Sequence, residues 1–487
     1  MASYTANQLN GAGTPIEALT ANTEVTFILK RPLDYLSGSA YFTVETVRNG
    51  DGFYDATLPT NALGVYGIDT GLESTKGLIT SSYISSVVVQ PTSNFTSSYT
   101  FIPTSNISVS SSMLRATGGI SLEIAGLGGP YAFVTKAGLQ TAVDLWISDR
   151  AAALGTYGEI NTWNVSVITN MSDLFFNKTT FNNDISNWDV SNVTNMQNMF
   201  NGATAFDADI TIWDVSKVEN MNSMFIGATA FNRNINAWDV SQVTNMSQMF
   251  NGATSFNQNL NSWNVSSVTT MQNMFNGAST FNGGVMIWDV SNVTDMIGMF
   301  NGAIAFNRNI GAWNVSNVTN MDFMFQGAQS FNQNLNSWVV SSVIDMRAMF
   351  DGATIFNGNI ISWIVSSVTD MQGMFAFSNG FNRDIGTWDV SSVNSMGDMF
   401  NNASSFNQDI SSWNVSNVTD MSTMFNSSGL STTNYDLLLN EWSALTVQPN
   451  VPFGAGTVQY SVGTPTTSRG VLTSAPNNWT ITDGGQV

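Results

Sequence analysis

Residues 188–203 read WDVSNVTNMQNMFNGA, and this stretch recurs with small changes through the middle of the chain. Tryptophan marks the period, because eleven of the 14 tryptophans stand 25 residues apart: Trp163, Trp188, Trp213, Trp238, Trp263, Trp288, Trp313, Trp338, Trp363, Trp388 and Trp413. A fixed period of this length indicates structural units that stack on one another. The sequence therefore predicts a solenoid of eleven 25-residue coils over residues 160–430.

The apolar spacing changes within each unit. Ile185, Trp188 and Val190 fit an L-x-x-L-x-L pattern, which predicts a short strand with one buried face. The following apolar residues stand three, three and one apart, as on one face of a helical or 3₁₀ segment: Val193, Met196, Met199 and Phe200. Thr194 is the expected N-cap, and Asn201–Gly202 is expected to end the segment in a left-handed conformation. The methionines are assigned to the core rather than to a binding groove.

The stretch at 188–203, with the F-N and I-x-x-W that surround it, resembles the repeat of the BspA-like leucine-rich-repeat surface proteins of bacteria and of some viral and phage genomes. The resemblance covers residues 160–430 and implies an α/β leucine-rich-repeat-type solenoid. Residues 136–159 resemble the helix that caps such arrays at the N-terminal end. Residues 431–487 resemble the C-terminal cap and are expected to be irregular.

The first part of the chain shares nothing with the repeat. Residues 1–125 contain six alternating or apolar runs bounded by Gly, Ser, Asn and Pro: 25–29, 41–44, 87–89, 99–102, 107–109 and 120–124. This pattern predicts an all-β, sandwich-like domain. Residues 126–135 are expected to be a linker. We expect the β domain to dock the protein onto other virion or surface proteins.

Composition excludes several classes of function. The net charge is −20 and only 14 residues are Lys or Arg, which argues against nucleic acid as a partner. The absence of Cys and His removes thiol nucleophiles, the usual zinc sites and Ser-His-Asp triads. No apolar stretch reaches the ~18 residues of a membrane span. No catalytic residue, metal or cofactor is predicted, and insertion into a membrane is not expected.

The residue after each repeat tryptophan is expected to face the concave surface. A polar strip able to bind sugar hydroxyls, a cation or a protein would consist of Asp189, Asp214, Asp239, Asn264, Asp289, Asn314, Asp389 and Asn414. The alternative is that these residues and the serines two positions later are structural ladders, whose stacked side chains hydrogen-bond one another or the backbone. Because Asp189, Asp214 and Asp239 lie in successive coils, their charges repel unless neutralised, so a bound cation is a third possibility.

These features predict a non-enzymatic structural or adhesion protein whose solenoid binds a glycan or protein on a host surface. The first fifteen residues lack the basic and apolar regions of a secretory signal, and no Cys is present for a lipid anchor. The expected location is therefore a virion surface, with a bacterial cell-surface adhesin as the alternative. A polysaccharide depolymerase with paired carboxylates is less favoured, because repeats supply near-identical carboxylates. A homo-oligomer is an open alternative, although the sequence has no coiled-coil heptads that would predict a trimer.

Overall fold

A computed structural model describes residues 131–487 throughout and, within residues 1–130, the backbones of eleven strands. The chain divides into two compact units. One comprises Met1–Ala132 with Gly155–Gly158, and the other comprises Phe133–Leu154 with Glu159–Val487.

Short antiparallel strands make up the described part of residues 1–130. They are β1 Ala2–Tyr4, β2 Glu24–Lys30, β3 Tyr41–Arg48, β4 Tyr54–Asp55, β5 Gly67–Asp69, β6 Ile79–Thr80, β7 Tyr83–Ile84, β8 Val87–Val89, β9 Tyr99–Phe101, β10 Ile107–Ser108 and β11 Leu122–Ile124. The largest sheet has the order β4-β3-β2-β5, and Phe27 pairs with Val44 in it. Each of the six predicted runs overlaps a strand. The predicted sandwich packing concerns side chains that lie outside the described residues. Residues 126–130 of the linker predicted at 126–135 also lie outside them.

Tight turns build each 25-residue coil of the second unit. In the coil of Trp188, the Trp188 N–H donates to the Ile185 carbonyl at 3.1 Å, and the Val193 N–H donates to the Val190 carbonyl at 2.8 Å. Further along, the Met199 N–H donates to the carbonyl three positions earlier at 3.1 Å. The apolar residues therefore stand three apart because they occupy the two ends of turns, and both ends are buried.

Backbone hydrogen bonds join each coil to the next over residues 196–202 and their equivalents. The N–H groups of Met196, Phe200 and Gly202 donate to carbonyls of the following coil, at 2.9, 2.8 and 2.7 Å. One-residue parallel bridges run along the same line from Asn170↔Asn195 to Ser395↔Asp420. We call this line of bonds the backbone ladder. It fixes the register of each coil against its neighbours.

The local prediction for the coil was wrong in two respects. The structure has no regular strand at Trp188–Val190, and it has no helical segment from Val193 to Phe200. Asn198 and Gly202 adopt φ values of 55° and 73°, and residues in this left-handed region interrupt a right-handed helix. The left-handed conformation predicted for Asn201–Gly202 is confirmed at Gly202. The wider assignment to the leucine-rich-repeat type stays a prediction.

Aromatic side chains stack from coil to coil in the interior of the array. The ring centroids of Trp163 and Trp188 lie 6.2 Å apart, and those of Phe175 and Phe200 lie 5.2 Å apart. The indole N–H of Trp188 donates to the Ile160 carbonyl at 2.7 Å, so the buried nitrogen is satisfied. The repeat methionines are fully buried, which confirms their assignment to the core.

Two helices precede the first coil in the range predicted to form a cap: α1 Lys136–Ser148 and α2 Arg150–Tyr157. Trp146 of α1 is buried, and its ring meets Trp163 edge-on at 5.8 Å. The Trp146 indole also donates to Asn183 Oδ1 at 3.0 Å. Helix α1 therefore covers the apolar end of the first coil.

Regular elements follow the last coil, where an irregular segment was expected: α3 Thr432–Trp442, β12 Pro452–Gly454, α4 Thr464–Thr473 and β13 Thr480–Thr482. Strand β12 continues the backbone ladder, since the Met421 N–H donates to the Pro452 carbonyl at 3.0 Å. Strand β13 pairs with β12 in parallel. None of the described helices is long and apolar enough to cross a membrane.

A buried charge network holds these last elements together. Asp483, which follows β13, accepts a hydrogen bond from the Tyr435 hydroxyl of α3 at 2.9 Å and one from Arg469 Nε of α4 at 2.7 Å. Burial, together with the neighbouring Asp483 carboxylate, raises the pKa of the Tyr435 hydroxyl well above its ordinary value, so it stays a donor.

Candidate functional site

All eight residues of the predicted polar strip are exposed on the surface beside the tryptophan stack. Each also has a structural partner two positions along its own chain. Asp189 Oδ1 accepts bonds from the Ser191 backbone N–H at 3.1 Å and from the Ser191 hydroxyl at 2.6 Å. The same bond from a serine N–H is found at all eight: Asp189, Asp214, Asp239, Asn264, Asp289, Asn314, Asp389 and Asn414.

This bond is made to the backbone of the same coil, as the structural alternative for these residues allowed, and it does not link one coil to the next. A side-chain oxygen that accepts from the N–H two positions later forms an Asx turn, which shapes the backbone within one coil. The role of these eight residues in binding a ligand stays a prediction.

Two further Asx turns recur in most coils and were not predicted. In the coil of Trp188, Asp184 Oδ1 accepts from the Ser186 N–H and Asn195 Oδ1 accepts from the Gln197 N–H, both at 2.9 Å. The signal was available in the sequence, because Asp or Asn stands four positions before and seven positions after most of the tryptophans. Up to three such turns per coil therefore direct the path of the chain.

A side-chain ladder between coils does exist at another position. The Asn after the second phenylalanine of a coil, as in Phe231-Asn232, uses its Oδ1 to accept the backbone N–H of the equivalent residue in the next coil, and Asp207 does the same in its coil. The bond from the Asn257 N–H to Asn232 Oδ1 measures 3.0 Å. This confirms the prediction that these asparagines are structural.

Three carboxylates of the strip are stabilised in their charged form. Hydrogen bonds from the serine hydroxyl and N–H two positions later lower the pKa of Asp214, Asp289 and Asp389 below its ordinary value. Val339 and Ile364 interrupt the row, with 53% and 62% of their surface exposed. Residues 131–487 contain no group of three or more acidic side chains placed to hold a metal ion.

A second electrostatic feature lies at the backbone ladder and was not predicted. Asp322 is only 3% exposed, and its Oδ2 accepts a bond from Arg347 Nη2 at 2.9 Å. Burial and the adjacent Asp345 raise the pKa of Asp322 to about 7, against the opposing charge of Arg347. Asp322 and Arg347 occupy the same position of two successive coils. Opposite charges at this spacing were the signal in the sequence for an ion pair between the coils.

Comparison with known proteins identifies one family. The family model described as "Mycoplasma protein of unknown function, DUF285" matches the chain three times, over residues 150–263, 244–363 and 337–442. Together these overlapping matches cover more than half of the chain. No curated protein and no solved structure gives a match.

We predict that Asp214→Ala lowers the free energy of unfolding by about 1 kcal/mol, because the Ser216 N–H loses its partner. Asp214→Asn keeps an oxygen acceptor in the same place and should stay within a few tenths of a kcal/mol of the parent protein. Urea unfolding of both variants at pH 7 measures the difference. Equal losses in the two variants would contradict a structural role for the side-chain oxygen.

The raised pKa of Asp322 predicts a stability that falls as pH rises. Between the ordinary pKa of an Asp and about 7, the folded chain binds a proton that the unfolded chain has released. Unfolding is thus opposed at low pH, and this contribution, on the order of 2 kcal/mol, is lost as pH rises through 7.

Asp322→Asn should flatten this slope, because the titrating group is removed while an oxygen remains to accept the Arg347 N–H. Asn222 already occupies the equivalent position of another coil. Urea midpoints at pH 5 and pH 8 test the prediction, and Asp295→Asn serves as the control that removes one carboxylate elsewhere on the ladder. An unchanged slope in Asp322→Asn would show that other groups cause it.

Proposed function

This chain belongs to the DUF285 family, and we propose that it is a non-enzymatic adhesion or display protein that presents its repeated face to a glycan or protein on another surface. The observation that carries the proposal is the exposed position after each repeat tryptophan, which recurs in eleven coils and is Asp or Asn in nine of them. The apolar side chains of each coil are buried in the stack, so the exposed polar positions are what the coils offer to a partner.

The finer identification as a BspA-like leucine-rich-repeat surface protein is part of this proposal. It rests on the repeat sequence at 188–203 and is compatible with the three tandem family matches. The N-terminal β-rich region is proposed to dock onto other virion or surface proteins.

The carboxylates favour adhesion over hydrolysis. Acid–base cleavage of a glycosidic bond uses two carboxyl groups with different pKa values in one open site. The Asp side chains of the strip share one environment, and those with a shifted pKa are all shifted downward. Asp322, whose pKa is raised, is buried behind Arg347. These observations support a binding rather than a catalytic role.

We predict that a bulky group on the strip blocks adhesion. The chain contains no Cys, so Ser262→Cys can be labelled at one site with a maleimide-polyethylene glycol beside Trp263. Ser255→Cys is the matched control, because Ser255 is an equally exposed serine on the phenylalanine side of the same stretch of chain. The labelled full-length proteins are applied to arrays of glycans and matrix proteins.

The label at 262 should reduce binding to the best array target by about tenfold or more, which corresponds to ~1.4 kcal/mol, while the label at 255 leaves it unchanged. Binding that tolerates the label at 262 would place adhesion elsewhere on the chain. A parent protein that binds no array component would make the coils a spacer or coat and refute adhesion.

The proposed location is a virion surface. The family description names Mycoplasma, a bacterium, and this favours the bacterial envelope as a second candidate. We expect electron microscopy with a gold-labelled antibody to mark purified virions from the source culture. Label on the envelope of uninfected cells would reverse the assignment.

A further inference from the structure

A cleft of about 460 Å³ opens on the face beside the tryptophan stack, in the middle of the coils. Its lining residues come from the segments before Trp288, Trp313 and Trp338: Met286, Asn309, Gly311, Ala312, Asn334 and Ser337. The volume lies within the ~300–1,000 Å³ of small-molecule sites. None of the lining side chains is charged.

Small residues create the cleft. Gly311 and Ala312 stand where the preceding coil carries Met286 and Ile287 and the following coil carries Asn336. A Cβ on residue 311 would lie 2.6 Å from the Asn334 carbonyl oxygen, so the close approach of the two coils requires glycine here. The floor of the cleft is therefore backbone and a single methyl group.

Backbone bonds bound the cleft on both sides. On this face, the described coils are joined by two such bonds, from the Leu260 N–H to the Gly284 carbonyl at 2.8 Å and from the Leu335 N–H to the Asn359 carbonyl at 3.0 Å. The cleft lies between these two backbone hydrogen bonds. It is thus part of the folded backbone and does not depend on the rotamer of one exposed side chain.

The polar groups of the cleft are oriented. Asn309 Oδ1 accepts the Gly311 N–H and Asn334 Oδ1 accepts the Asn336 N–H, both at 3.0 Å. These bonds fix each amide plane, and neither Nδ2 donates to another residue among those described. The Ser337 hydroxyl donates to the Gly311 carbonyl at 2.6 Å, which leaves its oxygen able to accept. Two donors and one acceptor therefore border the apolar floor.

We propose that this cleft binds a neutral saccharide unit; this inference rests on the proposed adhesive function and names its ligand class. Amide N–H donors suit sugar hydroxyls, and the Met286 and Ala312 side chains offer apolar surface to the C–H face of a ring. Ile287, beside Met286, is 75% exposed and extends that surface. The net charge of −20 disfavours anionic sugars.

Two substitutions test the cleft, and each has a matched control at the same position of another coil. Ala312→Ile fills the cleft, and Ile212 and Ile287 show that an exposed isoleucine fits this position. Ala237→Ile adds the same side chain at a position that does not line the cleft. Asn309→Asp keeps the Oδ1 that the turn needs but replaces the amide donor by a carboxylate oxygen, and Asn234→Asp is its control.

Saturation-transfer difference NMR on the full chain uses methyl glucoside, methyl galactoside, methyl mannoside, N-acetylglucosamine, cellobiose and lactose as probes, with glucuronic acid as the anionic comparison. At least one neutral probe should give a signal that Ala312→Ile abolishes and that both control variants retain. Asn309→Asp should weaken its binding by about fivefold, as expected for one lost hydrogen bond of ~1 kcal/mol.

A signal that survives in Ala312→Ile, or no signal from any neutral probe, would overturn the cleft as a saccharide site. A stronger response from glucuronic acid would refute the neutral ligand class. If the Ala312→Ile variant still binds the array as the parent protein does, the cleft is rejected as the binding site while the adhesive function stands. If the NMR signal depends on the cleft but the full chain binds no array component, adhesion is rejected and the cleft is retained as a saccharide site.

Discussion

The backbone ladder between successive coils is the constraint on which the structure depends. The N–H groups of residues such as Met196 and Phe200 reach carbonyls of the next coil, and these bonds recur along the array only if every coil has the same length. A buried N–H without a partner costs about 1–3 kcal/mol, so one inserted residue would disrupt several bonds at once. The unbroken, constant spacing of the tryptophans follows from this requirement.

The ladder also decides what the polar residues can do. A coil that contains almost no regular secondary structure still has to satisfy its backbone groups. The Asx turns and the asparagines after the phenylalanines provide many of the acceptors, which is why Asn, Asp and Ser are so frequent. A regular row of Asp residues in such a protein therefore serves first to form Asx turns in the backbone. Whether it binds a partner depends on the atoms that the turns leave unused.

The sequence was sufficient for the period, for the buried positions and for the asparagine ladder, because each depends on residue type repeated at a fixed spacing. It was not sufficient for the local conformation. Apolar residues three apart suit both one face of a helix and the ends of successive turns. The difference lies in the left-handed residue at Asn198, and that position also holds Gln248 and Phe323, which give no such signal. Asp322 was missed because its burial depends on its neighbours across the ladder.

Specificity in a repeated surface has to come from coils that depart from the repeat. Identical coils present identical groups, so a ligand gains the same contacts at any register and is not held at one place. The segment from Met286 to Ile364 breaks this equivalence, since it contains the glycine-floored cleft and the exposed Val339 and Ile364. The ion pair between Arg347 and the buried Asp322 lies in the same coils. This stretch of the array thus differs from the regular coils in shape, polarity and charge.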